Sequence, residues 1–129
     1  MILLALDVGR KKTGIAIGNL HTRLARPLGA AHGGRTRQLE AIGGYVREWQ
    51  PQKLLIGLPR NMDGSEHGMT RFCRGFAAAV SRRFGLPVEL ADERLTTAAA
   101  RAAGAKKSET DAWAAGILLQ DWLRRRAAA

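Results

Sequence analysis

Three acidic positions are the residues of this chain whose types and setting could do chemistry. Asp7 ends the unbroken aliphatic run Ile2 to Leu6, Asp92 and Glu93 close the apolar segment PVELA, and Asp111 opens a helical stripe with Ala115, Leu118 and Trp122. A carboxylate beside a buried run is costly unless it turns into solvent or meets a cation. Three brought together repel one another unless divalent cations sit between them, and carboxylate and water oxygens are the ligands Mg²⁺ and Mn²⁺ prefer. Two such ions about 4 Å apart can activate a water and stabilise the leaving oxygen of a phosphodiester, with no cysteine or histidine nucleophile required. Structural readings stand beside this one. Asp7 and Glu93 could be ion-paired with their neighbours Lys11 and Arg94. Asp111, with Ser108 as N-cap, would hold the third helical position, where an acid favours the helix dipole. Period-two alternation lets only one of Asp92 and Glu93 face a shared site, and their register is open.

Around the acids, Arg10, Lys11, Lys12, Arg60, Arg94, Lys106 and Lys107 supply a positive rim suited to a phosphate backbone. The chain as a whole carries 21 Lys and Arg against 11 Asp and Glu, a formal charge of +10, and an excess this large favours nucleic acid as partner. Phe, Trp and Tyr make up only 5%, and Trp49, Phe72, Phe76 and Trp122 fall on apolar helical stripes, so contacts to phosphate and shape are expected over base identity. Cys73, the single cysteine, falls with Met69, Phe72, Phe76 and Val80 at helical spacing and reads as core. His21, His32 and His67 have no paired ligand spacing, so zinc is not expected. No apolar run approaches the roughly 20 residues a bilayer requires, and the N-terminal run is too short and too acidic for a signal peptide, which predicts a cytoplasmic protein.

The elements that must position these residues can be read in order. Ile2 to Leu6 has the pattern of a strand covered on both faces, Gly9 to Lys12 a basic turn, and Gly14 to Gly18 a second strand whose small-residue face lets another backbone or a ligand come close. Arg23 to Ala30 suits a third strand. A helix is predicted from about Thr36 to Gln50 with Leu39, Ile42, Val46 and Trp49 on one face, stopped by Pro51. Lys53 to Leu58 is a buried strand, and Ser65 is the predicted N-cap of a helix from Glu66 to Phe84, ended by Gly85. Pro87 to Ala91 is a strand, Thr97 to Ala103 a short helix, and Glu109 to Arg125 the last helix. Three consecutive strands followed by strands alternating with helices predict a five-stranded mixed sheet, three strands antiparallel and two parallel, in an α/β fold. With 46% hydrophobic residues over 129, one domain spanning residues 1–129 is expected. Ligands of such sheets gather at the carboxyl ends of the parallel strands, where Asp7, the PRNMDGS loop and Asp92 to Arg94 would converge.

LALDVGRKKTGIAI, LIGLPRNMDGSE, ADERLTT and KKSETDAWAAGILLQDWL, in this order and nearly spanning the chain, resemble the YqgF family. These small bacterial proteins have an RNase H-like fold. They are described as pre-16S rRNA nucleases and, from their likeness to the RuvC resolvases, as Holliday junction resolvases. The resemblance implies a metal-dependent endonuclease with catalytic and metal-binding carboxylates at Asp7, Glu93 and Asp111, using Mg²⁺ or Mn²⁺. It favours precursor 16S rRNA, processed at its 5′ end, over a four-way DNA junction. Arg10, Lys11, Lys12, Arg60, Asn61, Arg94, Thr96, Lys106 and Lys107 are expected along the nucleic acid. Two positions depart from the family pattern, Thr110 before the last acid and Asn19 at the end of the second strand. Two other readings fit fewer residues: the first phosphate loop of actin-like kinases, which close two such domains over ATP, and a nucleic-acid-binding module without activity. Oligomeric state is open.

The charge makes the first expected outcome. Log affinity for nucleic acid should fall linearly with log salt, nearly independently of base sequence, and Lys106→Ala with Lys107→Ala should weaken binding and flatten the slope. Binding titrations at several salt concentrations check this; an unchanged slope would move the binding face elsewhere.

Overall fold

The computed structural model describes residues 1–92 and 107–128, with side chains of the last helix described from 111 to 126. The elements are β1 (Ile2–Asp7), β2 (Lys12–Asn19), β3 (Leu24–His32), α1 (Arg35–Trp49), β4 (Lys53–Leu58), α2 (Gly68–Phe84), β5 (Val88–Asp92) and α3 (Lys107–Ala128). The five strands form one sheet in the order β3-β2-β1-β4-β5. β1, β2 and β3 pair antiparallel, and β4 joins β1 and β5 in parallel, as the strand order of the sequence predicts.

Both faces of the central strands are covered, which explains their unbroken apolar runs. Leu4, Leu6, Ile15, Ile17, Leu54 and Ile56 turn toward Leu39 and Ile42 of α1 and Cys73, Phe76 and Val80 of α2. Leu3, Ala5, Ala16 and Leu55 turn the other way, toward Ala115, Leu118, Leu119 and Leu123 of α3. Cys73 is fully buried, the core residue its spacing predicted. β1 and β4 end at one edge of the sheet, where the β1–β2 loop and the starts of α1 and α2 also lie.

Several boundaries differ from the sequence reading for local reasons. Arg23 has φ of +60°, so the turn extends through it and β3 starts one residue later and runs on to His32. Ser65 does not cap α2. Its N–H and hydroxyl both donate to Asp63 Oδ1, at 2.9 and 2.6 Å, closing a loop in which Asn61 also holds Ser65. His67 caps instead: its Nδ1 accepts from the Met69 N–H at 3.1 Å, and its own N–H donates to Thr70 Oγ1, whose hydroxyl donates to the Pro59 carbonyl. Gly85 ends α2 in the left-handed region, φ +65°. α3 already runs from Lys107, so Ser108 lies inside it and Asp111 stands a full turn in, not at the third helical position. The helix predicted over Thr97 to Ala103 lies outside the described residues.

The far end of α3 is tied to the sheet by one carboxylate. Glu89 of β5 accepts from Lys53 Nζ at 2.8 Å, from Arg126 Nη2 at 2.9 and 3.1 Å, and from the Trp122 indole N–H. Burial alone would raise its pKa. The donors from Lys53, Trp122 and Arg126 outweigh that and hold the Glu89 carboxyl below its ordinary 4.5. A depressed folded-state pKa gives stability that is present above the unfolded value and lost as pH falls through the folded one. In acid unfolding curves, Glu89→Gln should therefore lower stability at neutral pH and flatten the loss below about pH 4.5.

Candidate active site

The site is built where β1 ends. Asp7 is paired with Gly14 across the β1–β2 ladder, and alternation along β1 puts it on the same face as Leu3 and Ala5, under α3. Gly14 faces the same way. A Cβ there would fall inside the main-chain carbonyl of Asp111, so only glycine lets the first turns of α3 lie directly on β2 beside Asp7. Gly18, further along β2, makes way for the Leu119 side chain in the same manner. The small-residue face read from the sequence is the seat of this helix.

Asp111 reaches this position with a carboxylate that is poorly provided for. Its Oδ2 is shut off from solvent and accepts no aligned hydrogen bond among the described residues, yet Lys12 Nζ stands 3.0 Å away. Lys12 is half-buried, and β2 alternation brings it to the α3 face two residues before Gly14. The contact is thus a charge pair without hydrogen-bond alignment, a cation placed against an acid whose lone pairs remain open.

The turn that leads into Lys12 is held by a residue the sequence does not single out. Gln38 of α1 is fully buried, and its Nε2 donates to the carbonyls of Gly9 at 3.1 Å, Arg10 at 3.3 Å and Gly33 at 3.0 Å. Its Oε1 accepts from the buried Thr13 hydroxyl, which lies 3.4 Å from the Gly9 N–H, and the Gly33 N–H closes on the Lys11 carbonyl at 2.8 Å. The basic turn is therefore clamped. A lone glutamine one position before the apolar Leu39 gave no periodic signal; only its depth in the fold reveals its task.

The remaining candidates divide as follows. Asp92 pairs with Leu58, on the face of α1 and α2 opposite Asp7. Glu93, Arg94, Thr96 and Lys106 lie outside the described residues, as does the Lys107 side chain. Arg10 and Lys11 are exposed on the turn. Arg60 is 4.0 Å from Glu66, which also binds Arg74 at 2.5 Å, and Asn61 is spent inside its loop. Glu66 titrates below the usual carboxylate range because Arg74 hydrogen-bonds it. Among the described residues no group of three His, Cys, Asp or Glu could hold a metal. Two carboxylates, one with an open buried oxygen already facing an ammonium, nevertheless make a donor set that suits a hard divalent cation.

Sheet order and crossovers give the chain a RuvC-like fold. The Thermus thermophilus RuvC structure matches 99% of this chain and 97% of its own, with TM-score 0.59 and 13% identity. T. thermophilus RuvC in complex with Holliday junction substrate matches with TM-score 0.60 and 15% identity over 100% of this chain and 97% of that one. At such identities the likeness concerns the fold. The family model described as RuvX, Holliday junction resolvase, matches residues 1–125, and the chain belongs to that family, the one its motifs resemble. Its relatives include proteins of Cupriavidus necator and Anaeromyxobacter sp., each named "Putative pre-16S rRNA nuclease". The first is 43% identical over 93% of this chain and 86% of its own length, the second 41% over 98% of both.

The clamp has a measurable weight. Gln38→Leu keeps the volume but leaves buried carbonyls unpaired, each such group costing about 1–3 kcal/mol, so urea unfolding should show a loss of roughly 2–4 kcal/mol. Faster hydrogen exchange at the Gly33 amide should accompany it.

Proposed function

We propose that this protein is a metal-dependent endonuclease that hydrolyses phosphodiester bonds in structured nucleic acid. The carrying observation is that Gly14 admits the Asp111 main chain against the strand position paired with Asp7, gathering two acids from opposite ends of the chain on one face. Glu93 is the third carboxylate of the proposal. Asp92 turns to the opposite face, which supports its neighbour in that role. Asp7, Glu93 and Asp111 would hold Mg²⁺ or Mn²⁺. Such ions, when bound, supply Lewis-acid stabilisation of charge on the phosphodiester oxygens and acidify water. The chain's own part is to fix Asp7 at the end of a buried strand, to bring Asp111 to it, and to aim a clamped basic turn at the phosphates.

Precursor 16S rRNA is the substrate that the relatives' names favour; trimming at its 5′ end, in the cytoplasm, is the finer form of this proposal. A second reading, resolution of four-way DNA junctions, is favoured by the description of the family model. A cleavage panel with Mg²⁺ or Mn²⁺ across structured precursor rRNA, single-stranded RNA, single-stranded DNA and four-way junctions separates the two.

The acids themselves are tested by sign. Two carboxylates about 5 Å apart repel by roughly 3 kcal/mol at an effective dielectric near 20, less what Lys12 offsets. Asp7→Asn should abolish cleavage, yet in chelator melt at the parent's temperature or above it. Added Mn²⁺ should raise the parent's melting temperature more than the variant's. Retained cleavage by Asp7→Asn would sink the mechanism.

A further inference from the structure

Two arginines at the same sheet edge are arranged in a way the acidic site does not require. Arg10, on the β1–β2 turn, holds its guanidinium 4.7 Å from the centre of the Phe72 ring of α2. Arg35, the first residue of α1, holds its own 5.3 Å from the same ring and 5.8 Å from that of the fully buried Phe76. The two cations therefore lie no farther apart than those first two distances laid end to end. Their arms run along α2: a Cβ at Gly68 would find only Arg10 Nη2 near it, at 3.9 Å, and one at Gly75 only Arg35 Nη2, at 3.6 Å.

Like charges do not gather without cause. Among the described residues, neither guanidinium forms an ion pair or donates a hydrogen bond, and the first turn of α1 contains no acid to offset Arg35. Elsewhere on this surface the chain does supply counter-ions, as Glu66 does for Arg60 and Arg74. Stacking explains how the pair is held but not what it is for. A cation held over a ring face keeps its charge and its N–H donors, here without a hydrogen-bond partner among the described residues. An exposed pair of such forks, both charged and both idle, matches the tetrahedral oxygens of a phosphate.

We infer that Arg10 and Arg35, held over Phe72, form a seat for a backbone phosphate of the substrate away from the bond that is cut. The seat lies on the side of α1 and α2, whereas Asp7 and Asp111 lie under α3, and Arg10 and Lys12 belong to one clamped turn between them. A nucleic acid engaged at both would cross the edge of the sheet. This rests on the proposed nucleic-acid substrate for what carries the phosphate, while the seat itself can be tested apart from it.

The test has two arms on the full chain. In the first, inorganic phosphate is titrated into ¹⁵N-labelled protein while the arginine Nε–Hε signals are followed by NMR. Arg10 and Arg35 should shift together and saturate, and in Arg35→Gln the Arg10 response should fall several-fold; no coordinated shift overturns the seat whether or not the protein cuts nucleic acid. In the second, binding of a fluorescent structured RNA is measured in chelator across salt concentrations. Arg35→Gln should weaken binding about three- to tenfold and reduce the slope of log affinity against log salt by about 0.7–0.9, the loss of one phosphate contact. Phe72→Leu, which keeps an apolar side chain at the position, should act in the same direction with a melting temperature close to the parent's. A slope unchanged in Arg35→Gln overturns the seat. Failure of the nuclease reading would show differently, as a parent that cuts none of the substrates while the arginine signals still respond to phosphate.

Discussion

The closeness of α3 to β2 is the constraint on which the rest of the edge depends. A helix packed on a strand is normally held off by a layer of side chains on both, yet here the main chain at Asp111 rests on the bare backbone of Gly14. Glycine in a strand interior sacrifices about 0.5–1 kcal/mol of backbone entropy and all side-chain packing. That loss is offset along the helix, where Leu118, Leu119 and Leu123 bury themselves against Leu3, Ala5, Ala16 and Leu55. Gly116, against Pro27 of β3, continues the close fit toward the sheet's outer strand. The apolar seam sets the helix down, and the glycine decides how low it can lie. Asp111 comes level with Asp7 as a result.

Two carboxylates near the ends of this helix are provided for very differently. Glu89, facing the end of α3, receives donors from Lys53, Trp122 and Arg126, and little of its acceptor capacity is idle. Asp111, near the start, has one ammonium beside it and, among the described residues, no aligned hydrogen bond on its buried oxygen. Leaving a buried charged oxygen so poorly satisfied costs stability that a hydrogen-bonded arrangement would keep. A cation entering from solvent would relieve it. Lys12 stands in that place from within the chain, at the end of a turn whose main-chain carbonyls Gln38 holds from behind.

The large positive charge is partly paired and partly not. Arg60 and Arg74 share Glu66, and Arg125 is paired with Asp121, so part of the excess is neutralised locally. On the β1–β2 turn and at the start of α1, stacking on Phe72 replaces ion pairing as the means of holding arginine in place, as stacking on Trp49 does for Arg26 at the other end of the sheet. Phe72 belongs to an apolar stripe, as its spacing says, but its outer face is a platform. Cation–π contact keeps the charge available, whereas a salt bridge would cancel it.

Much of this was legible in the amino-acid sequence because it is local or periodic. The unbroken aliphatic runs, the helical stripes and the order of elements required a mixed sheet covered on both faces, and the alternation of Gly14, Ala16 and Gly18 with isoleucines marked a face open to close approach. The motifs from the first strand to the last helix carried the family. Local capping was less legible, since Ser65 competes for Asp63 within its own loop and yields the cap to His67. Other features were decided only by the tertiary structure. Whether Asp111 serves the helix dipole or meets Asp7 depends on how far the helix extends before it, and Asp92 is set aside by a strand register that no single strand contains. The contacts of Gln38 and Lys12 and the stacking of Arg10 and Arg35 on Phe72 join residues far apart in the chain, where partner identity follows from depth and direction that periodicity does not encode.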